Sequence, residues 1–153
     1  MTSLEHRLPP PVLALLIALT MIALAWPPPP FAGDPAIRYG PAGVLVAAAV
    51  AFGAPAVVRF RRAGTTLNPV AIDGASVLVT EGIYRYSRNP MYVSWALLLA
   101  GLSAGLAVPL TALGPLAFVA FITRFQIIPE ERAMLAKFGS AYERYRSRVR
   151  RWL

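Results

Sequence analysis

Apolar stretches of helical length alternate along this chain with short breaks of proline, glycine and charge. Leu8 to Trp26 is almost wholly apolar, and its nineteen residues rise roughly 28 Å, about one hydrocarbon core. Prolines 9, 10 and 11 set its start. Four prolines, Pro27 to Pro30, then end it. A connector to about Gly40 leads into a second apolar run, Pro41 to Phe60, which Gly53 and Pro55 should kink. Residues 63–80 carry turn signals at Asn68-Pro69 and Asp73-Gly74 and read as a loop hugging the membrane. Met91 to Val108 and Leu110 to Ile128 are two further runs, joined by a turn over Ser103 to Pro109. Gly101 and Gly105 form a small-xxx-small pair that permits close helix packing. Pro129-Glu130-Glu131 is good chemistry for starting a new helix. From there Leu135, Phe138, Tyr142, Tyr145, Val149 and Trp152 repeat at a helical 3,4 spacing. The pattern predicts an all-α polytopic membrane protein with transmembrane helices over about 8–26, 41–60, 91–108 and 110–128. A cytoplasmic C-terminal amphipathic helix follows, and residues 1–153 form a single domain.

Composition agrees, with 57% hydrophobic residues and a mean hydropathy of +0.56. A signal peptide is the competing reading of the first run, given Ala23-Leu24-Ala25, but retention as a helix is simpler beside the later spans. The formal charge of +8 changes the picture by fixing sides. Arg59, Arg61 and Arg62 mark one end of the second run as cytoplasmic, and of the 15 basic residues only Arg38 then falls outside. Both termini are expected in the cytoplasm, on an inner membrane if the source is bacterial. Such a charge fits contact with anionic lipid, and no basic patch interleaved with aromatics points to nucleic acid. Arg144, Arg146, Arg148, Arg150 and Arg151 read as the polar face of a surface-lying tail that rests on lipid or folds back over the preceding loop. Without cysteine and with one histidine, thiol chemistry is excluded and no metal is expected. The sequence leaves the oligomeric state open.

The candidate chemistry gathers in Glu81 to Tyr92, EGIYRYSRNPMY. Asn89-Pro90 reads as an N-cap followed by proline in the first turn, and a helix N-terminus suits an anion. The hairpin brings this stretch beside Arg124, which sits in the last turns of the fourth run, and beside Glu130-Glu131. Arg85, Arg88 and Arg124 offer donors and the two glutamates offer acceptors, which together suit a zwitterionic amino-acid moiety. Read without that pairing, Asn89-Pro90 caps a helix, the arginines lie in head groups and the glutamates favour a helix start.

Gly82, Tyr84, Arg85 and Arg88-Asn89-Pro90-Met91-Tyr92, followed by Glu130-Glu131, Leu135, Phe138-Gly139, Tyr142 and Tyr145, resemble the isoprenylcysteine carboxyl methyltransferase and phospholipid methyltransferase family. Thr65 to Pro69 also resembles its bacterial members, and the likeness covers roughly residues 64–153. It implies S-adenosylmethionine-dependent methyl transfer at the membrane interface, to a lipidic or amphipathic acceptor, with cofactor motifs in 81–92 and 129–153. Gly82, Tyr84, Arg88, Asn89, Pro90 and Tyr92 would shape the cofactor pocket. Glu130 and Glu131 would meet the cofactor's amino group or orient neighbours. Arg124 is the residue we expect to hold an acidic group of the acceptor, with Arg124 and Glu130 as the catalytic pair. This chain carries Asn89 where eukaryotic members carry histidine, and an amide does not act as a general base. The alternative reading is a small four-helix transporter or a structural membrane protein. Asp and Glu are absent from all four apolar runs, which counts against proton-coupled transport.

Overall fold

The structure, a computed structural model, describes residues 8–30, 33–62 and 77–153. The expected loop over 63–80 lies mostly outside the described residues, as does the Thr65 to Pro69 motif. Described residues form helices and no strands. The helices are α1 (Pro10–Leu24), α2 (Pro35–Arg62), α3 (Pro90–Leu106), α4 (Leu113–Ile122), α5 (Ile128–Phe138) and α6 (Ser140–Arg148).

α2 begins six residues earlier than Pro41, inside the expected connector. The cause is local. Asp34 accepts the Ala36 N–H through its side chain at 2.8 Å, and Pro35 occupies the first turn. Pro41 and Pro55 are then carried inside the helix. The 25 residues Pro35–Arg59 and the 30 residues Pro109–Phe138 are long and apolar enough to cross a membrane. α1 and α3 are apolar and shorter.

Pro129 does not start a new helix. The chain runs from α4 through one π-helical turn, Thr123–Ile127, straight into α5. Proline lacks an N–H and its ring crowds the carbonyl four residues back. Widening the turn removes that conflict, and the Ile128 N–H bonds Thr123 O, five residues away. In the tail Gly139, at φ +50, interrupts the helix where Phe138-Gly139 is expected to, separating α5 from α6, but the helical stripe ends short of its last positions, since Val149 is already extended.

α3 is the central element and packs against α1, α2 and α4. Toward α1 and α4 the core contains Leu13, Ala14, Met21, Leu99, Phe118, Ile122 and Ile127. Toward α2 the contact is made by small residues. A side chain on Gly101 would meet Ala42 O at 3.2 Å, so Gly101 serves the α2–α3 packing. Ser94 donates to Ala49 O at 2.8 Å in the same interface. At the far end Arg38 donates to Gly105 O (2.9 Å) and Leu106 O (3.1 Å), the last carbonyls of α3.

Candidate functional site

Two short chains of polar contacts tie the start of α3 to α5 and to the end of the chain. In the first, Tyr92 Oη donates to Glu130 Oε1 at 2.8 Å, and Gln126 Nε2 donates to the same oxygen at 2.9 Å. Gln126 is buried one helical turn before Glu130, at the π turn. Among the described residues both bonds fall on Oε1, which leaves Oε2 as the oxygen open there to a further donor.

In the second, Glu131 holds two arginines. Arg88 Nη2 lies 3.0 Å from Glu131 Oε1, with only 12% and 18% of the two side chains exposed. Arg151 grips the same carboxylate in a fork, Nε to Oε1 at 2.9 Å and Nη2 to Oε2 at 2.7 Å. Those bonds keep the Arg151 guanidinium protonated even more firmly than usual. Arg88 Nη1 also donates to the Tyr142 hydroxyl at 3.4 Å. Its Nε is buried with no hydrogen-bond partner among the described residues.

The end of the chain is laid over the mouth of α3. Arg88 N–H donates to Arg150 O at 3.0 Å, and Asn89 Nδ2 donates to Arg151 O at 2.9 Å. Trp152 Nε1 reaches Thr123 Oγ1 at 3.3 Å, beside the π turn. The tail therefore folds back over the loop, and Arg151 belongs to the site and not to a lipid-facing stripe.

Asn89 stands at the N-cap position, but its side chain makes no cap bond. Its amide is turned to the tail, and its own N–H is accepted by Ser87 Oγ at 3.0 Å. The cap expected of that side chain is thus absent, and the amide serves instead as a donor that ties the mouth of α3 to the tail. Pro90 is fully buried in the first turn.

Tyr84 lies in a 3-10 turn, Gly82–Arg85, and its carbonyl accepts the Tyr145 hydroxyl at 2.8 Å. Burial pushes the phenols of Tyr84 and Tyr145 well above their usual range, so both stay neutral. Gly82 begins that turn at φ +62, a conformation that favours glycine. A side chain there would meet Arg59 Nε at 3.0 Å, the arginine that pairs with Glu81.

Of the expected site residues, Tyr84, Arg88, Asn89, Pro90, Tyr92, Glu130 and Glu131 cluster at this junction. Arg124 is exposed on the π turn, its guanidinium 5.4 Å from the Phe125 ring centroid. Gln126, Tyr142, Arg151 and Trp152 complete the cluster. Gln126 had a signal in the sequence, a lone amide at the end of an apolar run. Arg151 had none, hidden among five arginines.

The phospholipid methyltransferase family matches residues 37–141, which include α2 from its third residue, α3 to α5 and the start of α6. The chain belongs to that family. It is also 43% identical over 63 residues to an uncharacterized protein of Haemophilus influenzae, a stretch that is 41% of this chain and 100% of the relative. No solved structure matches it. The family is one of methyltransferases, and both polar chains fall largely within the matched residues: Arg88, Tyr92, Gln126, Glu130 and Glu131 are inside, Arg151 beyond.

Proposed function

We propose that the protein is an S-adenosylmethionine-dependent methyltransferase that works at the membrane interface on a lipidic or amphipathic acceptor. One observation carries the reading: in a chain of a methyltransferase family, Arg88 and Tyr92 at the mouth of α3 meet Glu131 and Glu130 of α5.

The donor set fits an amino-acid-bearing cofactor. Arg88 has a buried N–H still to be satisfied, suited to a carboxylate. Glu130 has an oxygen suited to an ammonium, and the tyrosines offer ring faces for a flat base or a sulfonium cation. When bound, S-adenosylmethionine supplies a methyl group on an electrophilic sulfonium. The chain's own residues then bind, orient and keep water out. Arg88 and Glu130 hold the charged ends, and Tyr92 and Gln126 fix the Glu130 carboxylate. Arg151 braces Glu131, and so Arg88, from the other side. Arg124, exposed at the same helical level as Gln126, is our candidate for the acceptor's acidic group. With a carboxylate acceptor no base is required, because the nucleophile is already ionised, so alignment is the main contribution of the protein. Asn89 supports the site through the tail. The active site faces the cytoplasm in this reading.

The test is calorimetry of the detergent-purified protein with S-adenosylmethionine, paired with radiolabelled methyl transfer into a membrane extract whose lipid, protein and volatile products are separated. Cofactor binding with label in a lipid or amphipathic product supports the reading. No binding and no transfer, with Arg88→Ala and Glu130→Ala both indistinguishable from the parent, would overturn it.

A further inference from the structure

Arg88, Glu131 and Arg151 set two guanidinium charges against one carboxylate, in a place where Arg88 and Glu131 are largely covered. Among the described residues no second acid meets either arginine: Glu130, next to Glu131 in the chain, bonds Tyr92 and Gln126 instead. A guanidinium stays charged, so the cluster carries one positive charge in excess and suits an anion.

The hydrogen bonds show which arginine has room for it. Arg151 grips Glu131 with its whole Nε–Nη2 edge, Nε to Oε1 and Nη2 to Oε2. Arg88 uses the same edge by half: its Nη2 lies 3.0 Å from Glu131 Oε1, and its Nε is buried without a hydrogen-bond partner among the described residues. Glu131 is thus held by Arg151 and only touched by Arg88. A ligand carboxylate that takes the full edge of Arg88 displaces Glu131 from Nη2, and Glu131 loses one contact while keeping both bonds of the Arg151 fork. The backbone frame is fixed meanwhile, since Arg88 N–H is bonded to Arg150 O and Asn89 Nδ2 to Arg151 O.

We propose that Glu131 is a displaceable stand-in for a ligand carboxylate at Arg88, and that Arg151 is the positioning residue that holds Glu131 aside while the ligand is bound. Arg151 lies beyond the residues that match the family. The ligand carboxylate is that of the cofactor's amino-acid end, so the inference rests on the methyltransferase reading. Without Arg151, Glu131 has Arg88 alone as its partner and competes with the ligand in full. Removing the Glu131 charge as well then undoes the damage. A residue that only braced the fold would instead make the double variant worse than either single one.

The experiment is calorimetry of the full chain in detergent with two probes: S-adenosylhomocysteine, which carries the amino-acid end, and methylthioadenosine, which lacks it. Arg151→Gln should weaken S-adenosylhomocysteine binding about tenfold or more and leave methylthioadenosine within about twofold, which also shows that the pocket is folded. Glu131→Gln keeps an oxygen for the Arg151 fork and should bind S-adenosylhomocysteine at least as tightly as the parent. The double variant should return to within about threefold of the parent. If Arg151→Gln does not fold, Arg151→Lys takes its place, with a loss of about threefold or more that Glu131→Gln again reverses. Unchanged S-adenosylhomocysteine affinity in the folded Arg151 variant overturns the proposal, and so does a double variant as weak as the Arg151 variant alone. A parent that binds both probes equally overturns it too, because Arg88 then takes no carboxylate, while cofactor binding itself stands. A parent that binds neither probe ends the methyltransferase reading first and this proposal with it.

Discussion

Glu131 is the residue on which most of the site geometry converges. Its carboxylate is shared by Arg88 and Arg151, in a place where two of the three side chains are largely covered. Removing one partner of a covered ion pair leaves the others without compensation, and that loss exceeds the net worth of the pair. Glu131→Ala should therefore destabilise the protein by about 2–4 kcal/mol, lowering the melting temperature in detergent by roughly 5–15 °C. Arg151→Lys keeps the charge but loses the fork, so it should cost less than Arg151→Ala. Equal melting temperatures for those two variants would show that the fork does not matter. At Glu130 the expected effect is on binding. Glu130→Gln removes the charge that would meet an ammonium, while the amide oxygen can still accept from Tyr92 and Gln126. S-adenosylmethionine affinity should fall at least about tenfold with little change in melting temperature. The sequence made the glutamates and Arg88 legible because an acidic pair and an RNP motif stand out between apolar runs. Arg151 and Gln126 were not legible as partners, since only a folded tail and a π turn bring them in.

At the scale of elements, two features decide where the site sits. The first is the π turn at Thr123–Ile127, whose cause is Pro129. It lets α4 and α5 form one long helix and sets Gln126 and Glu130 on the buried side while Arg124 stays exposed. A proline followed by two acids is a sound signal for a helix start, which is why sequence reasoning broke the helix there. It gave no sign that a single wide turn would absorb the proline. The second is the cap that Arg38 places on the carbonyls of Gly105 and Leu106. Cations favour helix C-termini, and these two bonds satisfy acceptors that α3 itself leaves open. Arg38→Ala should cost about 1–2 kcal/mol and loosen the far end of α3. Faster hydrogen exchange at 103–107 than at 91–97 would report it, and unchanged exchange there would count against the cap. The same signature explains the early start of α2. Asp34-Pro35 is as good a helix start as Asn89-Pro90, yet the next proline, Pro41, drew the boundary six residues too late.

For the whole molecule, exposed apolar faces and the placement of charge bear on which way the bundle lies in the membrane. Large apolar side chains stand exposed on α1, α2 and α4, among them Leu15, Leu16, Val44, Val50, Leu113 and Leu116. Side chains of that kind belong against lipid. The charge is gathered at one end, where Arg59 and Arg61 of α2 and Arg85 and Arg88 before α3 meet the arginines of α6 and the tail. At the other end stand Arg38 and Asp34. An excess of arginine on short segments is retained on the cytoplasmic side. The site at the mouth of α3 would then face the cytoplasm, where a soluble cofactor can reach it. The chain has no cysteine, so single cysteines report sidedness without a background. Ser147 and Ala36 are both exposed and lie at opposite ends. In intact bacterial cells an impermeant maleimide should label Ala36→Cys and leave Ser147→Cys unlabelled until the membrane is opened. The reverse pattern would turn the molecule over and put the site on the far side from its cofactor. Labelling of both in intact cells would mean that an even number of helices crosses between the two positions, with α3, the shorter apolar helix in that interval, lying otherwise than across the bilayer.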